Sequence, residues 1–470
     1  MLLDFSLENY GPFRDRVTLS LQTTKHSEHP GNVISCDAVK GGILSSAAVF
    51  GPNASGKSYI FKAMVALRMA VFDAYPEGTE YPWYDPFRIN DVNPKMPVKF
   101  EIRLVEGGII YNYAISFDSK RVVFESLSYR PYGRPKVVFR RGSDKDVFNG
   151  KQKKMRDFLT DSTAFLVIGA KYNDEICALV RNSILGIITL ESEDAMALVE
   201  HTCEWAGQDL KRRFMLIDGL RKADFAVSDF ERSDRIVEKA SMRPNIPPVV
   251  YDSIPADKEG NIKISSVRLI HGYPSSGGIV AFDINQESTG TRSMFGLMGP
   301  LIDALSNGRT VFIDEFGAHL HPLLTHWLVS QFSHENNPNG AQLIVITHEL
   351  GLIDTKELLR RDQIFFTDKN RDDGSSTLYC LSDFKGIRKD ELVLKSYLMG
   401  RYDAIPDIFS RGLMDVRKKR RVSQQRDTLS EANSVRHWGR SLGMEVFRGS
   451  AAHGQGEEDQ TCGIGGLRRR

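Results

Sequence analysis

Gly51-Pro52-Asn53-Ala54-Ser55-Gly56-Lys57-Ser58 satisfies every constrained position of the phosphate-cradling pattern G-x-x-x-x-G-K-[ST]. The segment before it, Ile43 to Phe50, is apolar and β-favouring, and Tyr59 to Met69 after it spaces apolar side chains at helical intervals. A strand, a tight loop and a helix are predicted. Gly51 and Gly56 let backbone N–H groups turn inward toward a polyphosphate, and the first turn of the following helix adds the positive end of its dipole. Lys57 supplies a mobile point charge for the β- and γ-phosphates, and Ser58 a hydroxyl for Mg²⁺. The expected ligand is a nucleoside triphosphate with Mg²⁺.

Working outward, Thr310-Val311-Phe312-Ile313-Asp314-Glu315 reads as a buried strand that ends in two acids. A phosphoryl-transfer site places its metal carboxylate and its catalytic base in this way. Asp314 is expected near the metal held by Ser58, and Glu315 near the water that attacks the γ-phosphate. Leu343-Ile344-Val345-Ile346-Thr347-His348 is a second apolar strand, ending in a polar pair. On a neighbouring strand, His348 would face the same crevice and contact the γ-phosphate. The stretch Glu287-Ser288-Thr289-Gly290-Thr291-Arg292 opens a helix, with Ser288 a good N-cap and Gly290 permitting close backbone approach.

Composition narrows the setting. With 62 Lys and Arg against 60 Asp and Glu, the chain as a whole offers no electrostatic argument for nucleic acid, so any DNA contact has to be local. Cys36, Cys177, Cys203, Cys380 and Cys462 are scattered and never form a C-x-x-C pair, which speaks against a disulfide framework and a zinc site. No run of 18 apolar residues occurs, and Met1-Leu2-Leu3-Asp4-Phe5 becomes charged too soon for a secretory segment. A cytoplasmic protein without a membrane partner is expected.

The 470 residues allow two or three domains. Residues 1 to 21 read as two strands around a turn at Asn9-Tyr10-Gly11-Pro12, and Val98–Leu104, Ile109–Phe117 and Val122–Tyr129 as an antiparallel meander. Between Lys153 and Lys239 the spacing turns helical, as in Ile176, Leu179, Val180 and Ile184. Strands return at Ser265–His271 and Gly278–Ile284, and from Thr289 to Phe366 the pattern is helix, strand, helix, strand, that of a parallel α/β core. The run Arg417-Lys418-Lys419-Arg420-Arg421 opens a basic tail that reads as solvated and partly disordered, with a nucleic-acid or partner arm as the alternative.

Gly51 to Ser58, Glu287 to Arg292, Asp314-Glu315, His319-Leu320-His321-Pro322 and Thr347-His348 occur in the order and form of ABC-type ATPases. The chain resembles the SMC, RecF and OLD-like group among them. The resemblance implies an α/β fold of the P-loop NTPase, ABC-ATPase type, with the antiparallel meander and a helical insert between the phosphate loop (Walker A) and the signature segment. It implies ATP as the nucleotide and a homodimer at least, in which Ser288 and Gly290 reach the nucleotide on a partner's phosphate loop. Residues Gly317 to Pro322 would form the D-loop, and His348 the switch histidine. The signature reads Ser-Thr-Gly where transporters have Ser-Gly-Gly, and no glutamine after the meander is assigned to a Q-loop.

A narrower likeness rests on Glu8-Asn9-Tyr10, Asp224 to Phe230, Glu287 to Arg292, Leu381-Ser382-Asp383-Phe384 and Tyr397 to Pro406. These resemble prokaryotic AAA-type proteins of phage defence, the RloA and AbiL type, over roughly residues 1 to 408. Members of that group are encoded beside a second protein, often a nuclease-like effector. The expected division is 1–150, an ATPase lobe with phosphate loop and meander; 151–263, a mainly helical insert; 264–408, a second lobe with signature, acidic strand and histidine; and 409–470, the tail. The expected function is ATP binding and hydrolysis that controls the effector. The alternatives are an SMC- or RecF-like ATPase acting on DNA in repair, and a slowly hydrolysing, ATP-gated scaffold or sensor.

Overall fold

Every residue of the strand Ser46–Phe50 is buried, and its side chains alternate between two cores, Ala47 and Val49 entering one, Ala48 and Phe50 the other. A strand covered on both faces belongs in the middle of a parallel sheet. The computed structural model describes residues 1–406 except 193, 243–255, 258, 274–277, 354–355, 357 and 388–390. In it the sheet runs in the order Ile188–Glu191, Thr310–Asp314, Gln342–Ile346, Ser46–Phe50, Ile364–Lys369, Ser376–Cys380. The first five strands are parallel and the last is antiparallel. The fold is α/β, as the motif spacing predicts.

The helix Lys57–Ala70 places Ile60, Phe61, Met64 and Leu67 in the first core, where the ring of Phe61 lies 6.3 Å from that of Phe312. The same core takes in the inner face of a seven-stranded antiparallel sheet, ordered Val147–Phe148, Arg134–Arg141, Val122–Tyr132, Ile109–Phe117, Val98–Glu106, Leu2–Glu8, Val17–Ser20. The N-terminal hairpin and the meander are thus one sheet, joined where Leu2–Glu8 pairs with Val98–Glu106. The second core holds Leu198 and Val199 of Ala195–Gly207, Leu216 and Leu220 of Leu210–Lys222, and Met294, Leu297 and Leu301 of Thr289–Asn307. Each such buried apolar side chain contributes about 1.5–3 kcal/mol relative to exposure, so the parallel sheet is held from both faces.

Helices do occupy Gln152–Met155, Phe165–Lys171, Glu175–Leu185, Ala195–Gly207 and Leu210–Lys222. Two departures from the helical pattern matter. Ile188–Glu191 joins the parallel sheet beside Thr310–Asp314. Helix also stops at Lys222, and Val227–Glu238 is a strand, paired through its length with Asn261–Tyr273, which in turn pairs with Gly278–Asp283. The burial of Val227–Glu238 has no clean period of two, so its state is set by the ladder with a distant strand rather than by local pattern. Among the described residues no helix is long and apolar enough to cross a membrane. The tail from 409 lies outside the described residues.

Candidate nucleotide site

The chain leaves Ser46–Phe50 through a loop whose backbone departs from ordinary L-residue geometry at three places. Gly51 has φ 155° and Gly56 φ 102°, while Ala54 holds φ 63° despite its side chain. A Cβ on Gly51 would stand 2.5 Å from the carbonyl oxygen and from Oγ1 of Thr367, so only glycine fits there. A left-handed alanine costs about 1–3 kcal/mol and persists where the surroundings hold it. Gly56 is the N-cap of the 14-residue helix Lys57–Ala70 and offers no side-chain cap to its first turn, where the Tyr59 amide donates to Gly56 O at 3.0 Å. The ammonium of Lys57 lies 3.0 Å from the carbonyl oxygens of both Gly51 and Pro52. Burial holds the pKa of Lys57 below the ordinary lysine value, and the charges of Glu315 and Asp314 act in the opposite direction.

Asp314 ends its strand one strand away from the loop strand, with Gln342–Ile346 between them. Ser58 Oγ donates to Asp314 Oδ1 at 3.2 Å, and the Glu315 amide donates to the same oxygen at 3.1 Å. Burial raises the Asp314 carboxyl above its usual range; those two hydrogen bonds oppose the rise, and Glu315 and Glu191 add to it. Glu315, half-buried, has φ 54°, a second left-handed non-glycine residue. The turn it makes is fastened to the next strand: the Phe316 amide donates to Ile346 O at 2.9 Å and Thr347 Oγ1 donates to Phe316 O at 2.7 Å. Thr347 in turn donates its amide to Val49 O at 3.1 Å, so His348 leaves the sheet between the loop and the acids. Partial burial, then the charge of Lys57, hold the pKa of His348 below the ordinary histidine value, against the pull of Asp314. The shift favours the neutral imidazole at pH 7.

Lys57, Ser58, Asp314, Glu315 and His348 therefore share one electrostatic neighbourhood. Ser288 and Gly290 stand apart from it. Ser288 Oγ accepts from the Thr291 amide at 3.1 Å, capping Thr289–Asn307, and a Cβ on Gly290 would lie 3.0 Å from His319 O. Ser288–Arg292 thus packs on the Gly317–Pro322 turn through Gly290, and none of the hydrogen bonds of Ser288 reaches Gly51–Ser58. Just before it, Glu287 Oε1 meets His271 Nε2 at 2.8 Å, tying the segment to the three-stranded sheet.

Sequence reasoning missed Glu191. It stands opposite Asp314 in the parallel ladder, and the amide of Ser192 donates to Asp314 O at 3.2 Å. The only local signal is the four-residue run Ile188-Thr189-Leu190-Glu191 amid helices, an apolar strand ending in an acid like Thr310–Glu315.

No curated protein matches this chain. Solved structures that are similar include an SMC head bound to the C-terminal winged-helix domain of ScpA, with 13% identity, TM-score 0.41, and coverage of 81% of this chain and 97% of that one. The SMC head domain from Thermotoga maritima has 12% identity and a TM-score of 0.37, over 81% of this chain and 98% of that one. An SMC head domain with an extended coiled coil, bound to the C-terminal domain of ScpA from Pyrococcus furiosus, has 12% identity and a TM-score of 0.34, over 85% and 98%. A family model described as "AAA domain, putative AbiEii toxin, Type IV TA system" matches residues 46–156 and 207–354. Those stretches make up more than half of the chain and hold the phosphate loop, the acidic pair and His348, and the chain belongs to this AAA-domain family.

Proposed function

We propose that the protein binds and hydrolyses ATP at Gly51–Ser58 and uses the cycle to control a partner effector. The observation that carries the hydrolytic part is the 3.2 Å contact between Ser58 and Asp314, which brings the end of the acidic strand to the first helical turn after the loop. Hydroxyl and carboxylate are both hard oxygen donors and suit Mg²⁺. Among the described residues no group of three or more His, Cys, Asp or Glu is placed to hold a metal ion, so a metal here would share its coordination between Ser58, Asp314, phosphate oxygens and water. Mg²⁺, when bound, supplies charge neutralisation at the β- and γ-phosphates.

The loop amides between the two glycines, those of Asn53, Ala54 and Ser55 after Pro52, which has no N–H, would cradle the β-phosphate, and Lys57 would exchange its two carbonyl contacts for phosphate oxygens. Glu315 orients the attacking water and accepts its proton. The water oxygen bonds to the γ-phosphorus as the bond from that phosphorus to the β,γ-bridging oxygen breaks, and ADP leaves with the electron pair. His348 donates or accepts one hydrogen bond at the γ-phosphate. Two copies would complete the site, Ser288 and Gly290 of each reaching the nucleotide of the other, since within one chain Gly290 packs against His319 and the Ser288 hydroxyl bonds to Thr291. Isolated monomers would then hydrolyse ATP slowly. The four-part division, at 150, 263 and 408, belongs to the same reading.

The effector part is supported by the family description, which couples the AAA domain to toxin–antitoxin systems, and by the likeness of Tyr397–Pro406 to phage-defence ATPases of the RloA and AbiL type. Replacing Glu315 by Gln tests the chemistry: turnover falls by about 10²–10⁴-fold while ATP binding is kept. Unchanged turnover overturns the base assignment. Purification with the neighbouring gene product tests the rest, the expected result being a complex whose stability depends on ATP. DNA-stimulated turnover with no protein partner favours the alternative of an ATPase acting on DNA.

A further inference from the structure

The phosphate loop is held from the side opposite the acids. The ladder between Ser46–Phe50 and Ile364–Lys369 pairs Ile364 with Ala48, Phe365 with Val49 and Phe366 with Phe50, and stops where the loop begins. Thr367 is thereby set beside Gly51. Its side chain is fully buried, and its Oγ1 lies 2.6 Å from Ser55 Oγ and 3.4 Å from Phe50 O. Ser55 is 1% exposed and follows Ala54, the loop residue in the left-handed region. Each hydroxyl has one proton, so the network is satisfied when Ser55 donates to Thr367 and Thr367 donates to Phe50 O.

The residue that aims Thr367 is itself braced. Phe366 stacks on Tyr397 at 5.3 Å and 11°, and on Tyr402 at 6.0 Å and 16°. Tyr397 Oη donates to Ala404 O and Tyr379 Oη to Tyr402 O, each at 2.8 Å. The Tyr397–Pro406 stretch, which the proposed chemistry leaves without a role, thus forms a platform under the strand that reaches the loop.

We infer that Thr367 is a positioning residue for ATP: its hydroxyl clamps Ser55 and keeps the phosphate loop in the shape that receives the triphosphate. This rests on the reading of Gly51–Ser58 as a triphosphate site. Without the clamp, Ser55 Oγ is buried without a partner, the strained loop populates other shapes, and apparent affinity falls with the fraction that remains competent. Once ATP is bound its own contacts hold the loop, so the chemical step is spared.

Thr367→Val removes the hydroxyl and keeps the β-branched shape. Titration with Mg-ATP, and with a fluorescent ATP analogue for binding alone, is expected to show KM and Kd raised about tenfold with kcat within about twofold. Thr367→Ser brings both back to within about twofold of the parent. Ser55→Ala reaches the same contact from the loop and serves if Thr367→Val does not fold; it is expected to match Thr367→Val, and the double variant to be no worse than either single one. Unchanged KM and Kd in Thr367→Val, or additive losses in the double variant, overturn the inference and leave the ATP site standing. Equal losses in the Val and Ser variants also overturn it. If the parent protein binds no ATP, the site reading fails and takes the clamp with it.

Discussion

Glu125 and Asp314 are both buried strand acids, one in each large sheet, and their surroundings differ in kind. Glu125, fully buried, accepts from four donors: Tyr113 Oη at 2.9 Å, Arg141 Nε at 2.9 Å, and the amides of Phe165 and Leu166 at 2.6 and 2.9 Å. It caps the helix Phe165–Lys171 and ties it to the antiparallel sheet. Among the described residues the Asp314 carboxylate accepts only from Ser58 and the Glu315 amide, and both bonds fall on Oδ1. The carboxylate with a full set of donors has nothing left to offer a ligand; the underprovided one keeps an oxygen free for chemistry. The same contrast separates Arg141, held by Glu125 and by Thr163 O, from Lys57, which rests on two neutral carbonyls.

The largest effect that would break this comparison is on stability. Glu125→Ala strands the buried guanidinium of Arg141 and two amides, and is expected to cost about 3–5 kcal/mol in chemical denaturation, with the ATP affinity of the folded fraction unchanged. A cost under about 1 kcal/mol would mean that the cluster is no anchor. Asp314→Asn is expected to do the reverse, leaving stability within about 1 kcal/mol of the parent and raising the Mg²⁺ needed for half-maximal turnover by about 10–100-fold. If Asp314→Asn unfolds the protein while its Mg²⁺ requirement stays put, the two acids have been assigned the wrong way round.

The smallest effect lies in pH. Burial raises the folded-state pKa of Asp314 above 3.8, so its charged form is penalised in the fold. That penalty is fully present above the raised value, eases as pH falls through it, and is gone below 3.8. Asp314→Asn should therefore gain relative stability at neutral pH and lose that gain in acid. His348, held below 6.5, carries the opposite sign: its penalty is present below the lowered value and absent above 6.5. His348→Gln should gain relative stability only as pH drops below 6.5. Urea midpoints measured from pH 3 to 8 check both, and curves for the two variants that run parallel to the parent's would show that neither shift arises in the fold.

The phosphate loop, the acidic pair and the histidine were legible because each is a strand followed at once by its polar residues, and that chemistry is written in consecutive positions. The meander was legible for a related reason, its strands being joined by short turns. The strand Val227–Glu238 was not, because a ladder with Asn261–Tyr273 overrode its weak pattern. Glu191 beside Asp314, Thr367 beside Ser55, and the His319 carbonyl under Gly290 were invisible for the same physical reason.

By itself, then, the sequence determined which residues could hold a triphosphate and a metal: glycines where the backbone must turn, a lysine and hydroxyl at a helix start, acids at a strand end. Only the tertiary structure decided who stands next to them. Ladder registers between segments as far apart as Phe50 and Phe366 brought Thr367 to the loop and Glu191 to Asp314. Such registers are fixed by burying both faces of the parallel sheet at once, a condition that no single segment carries in its own pattern.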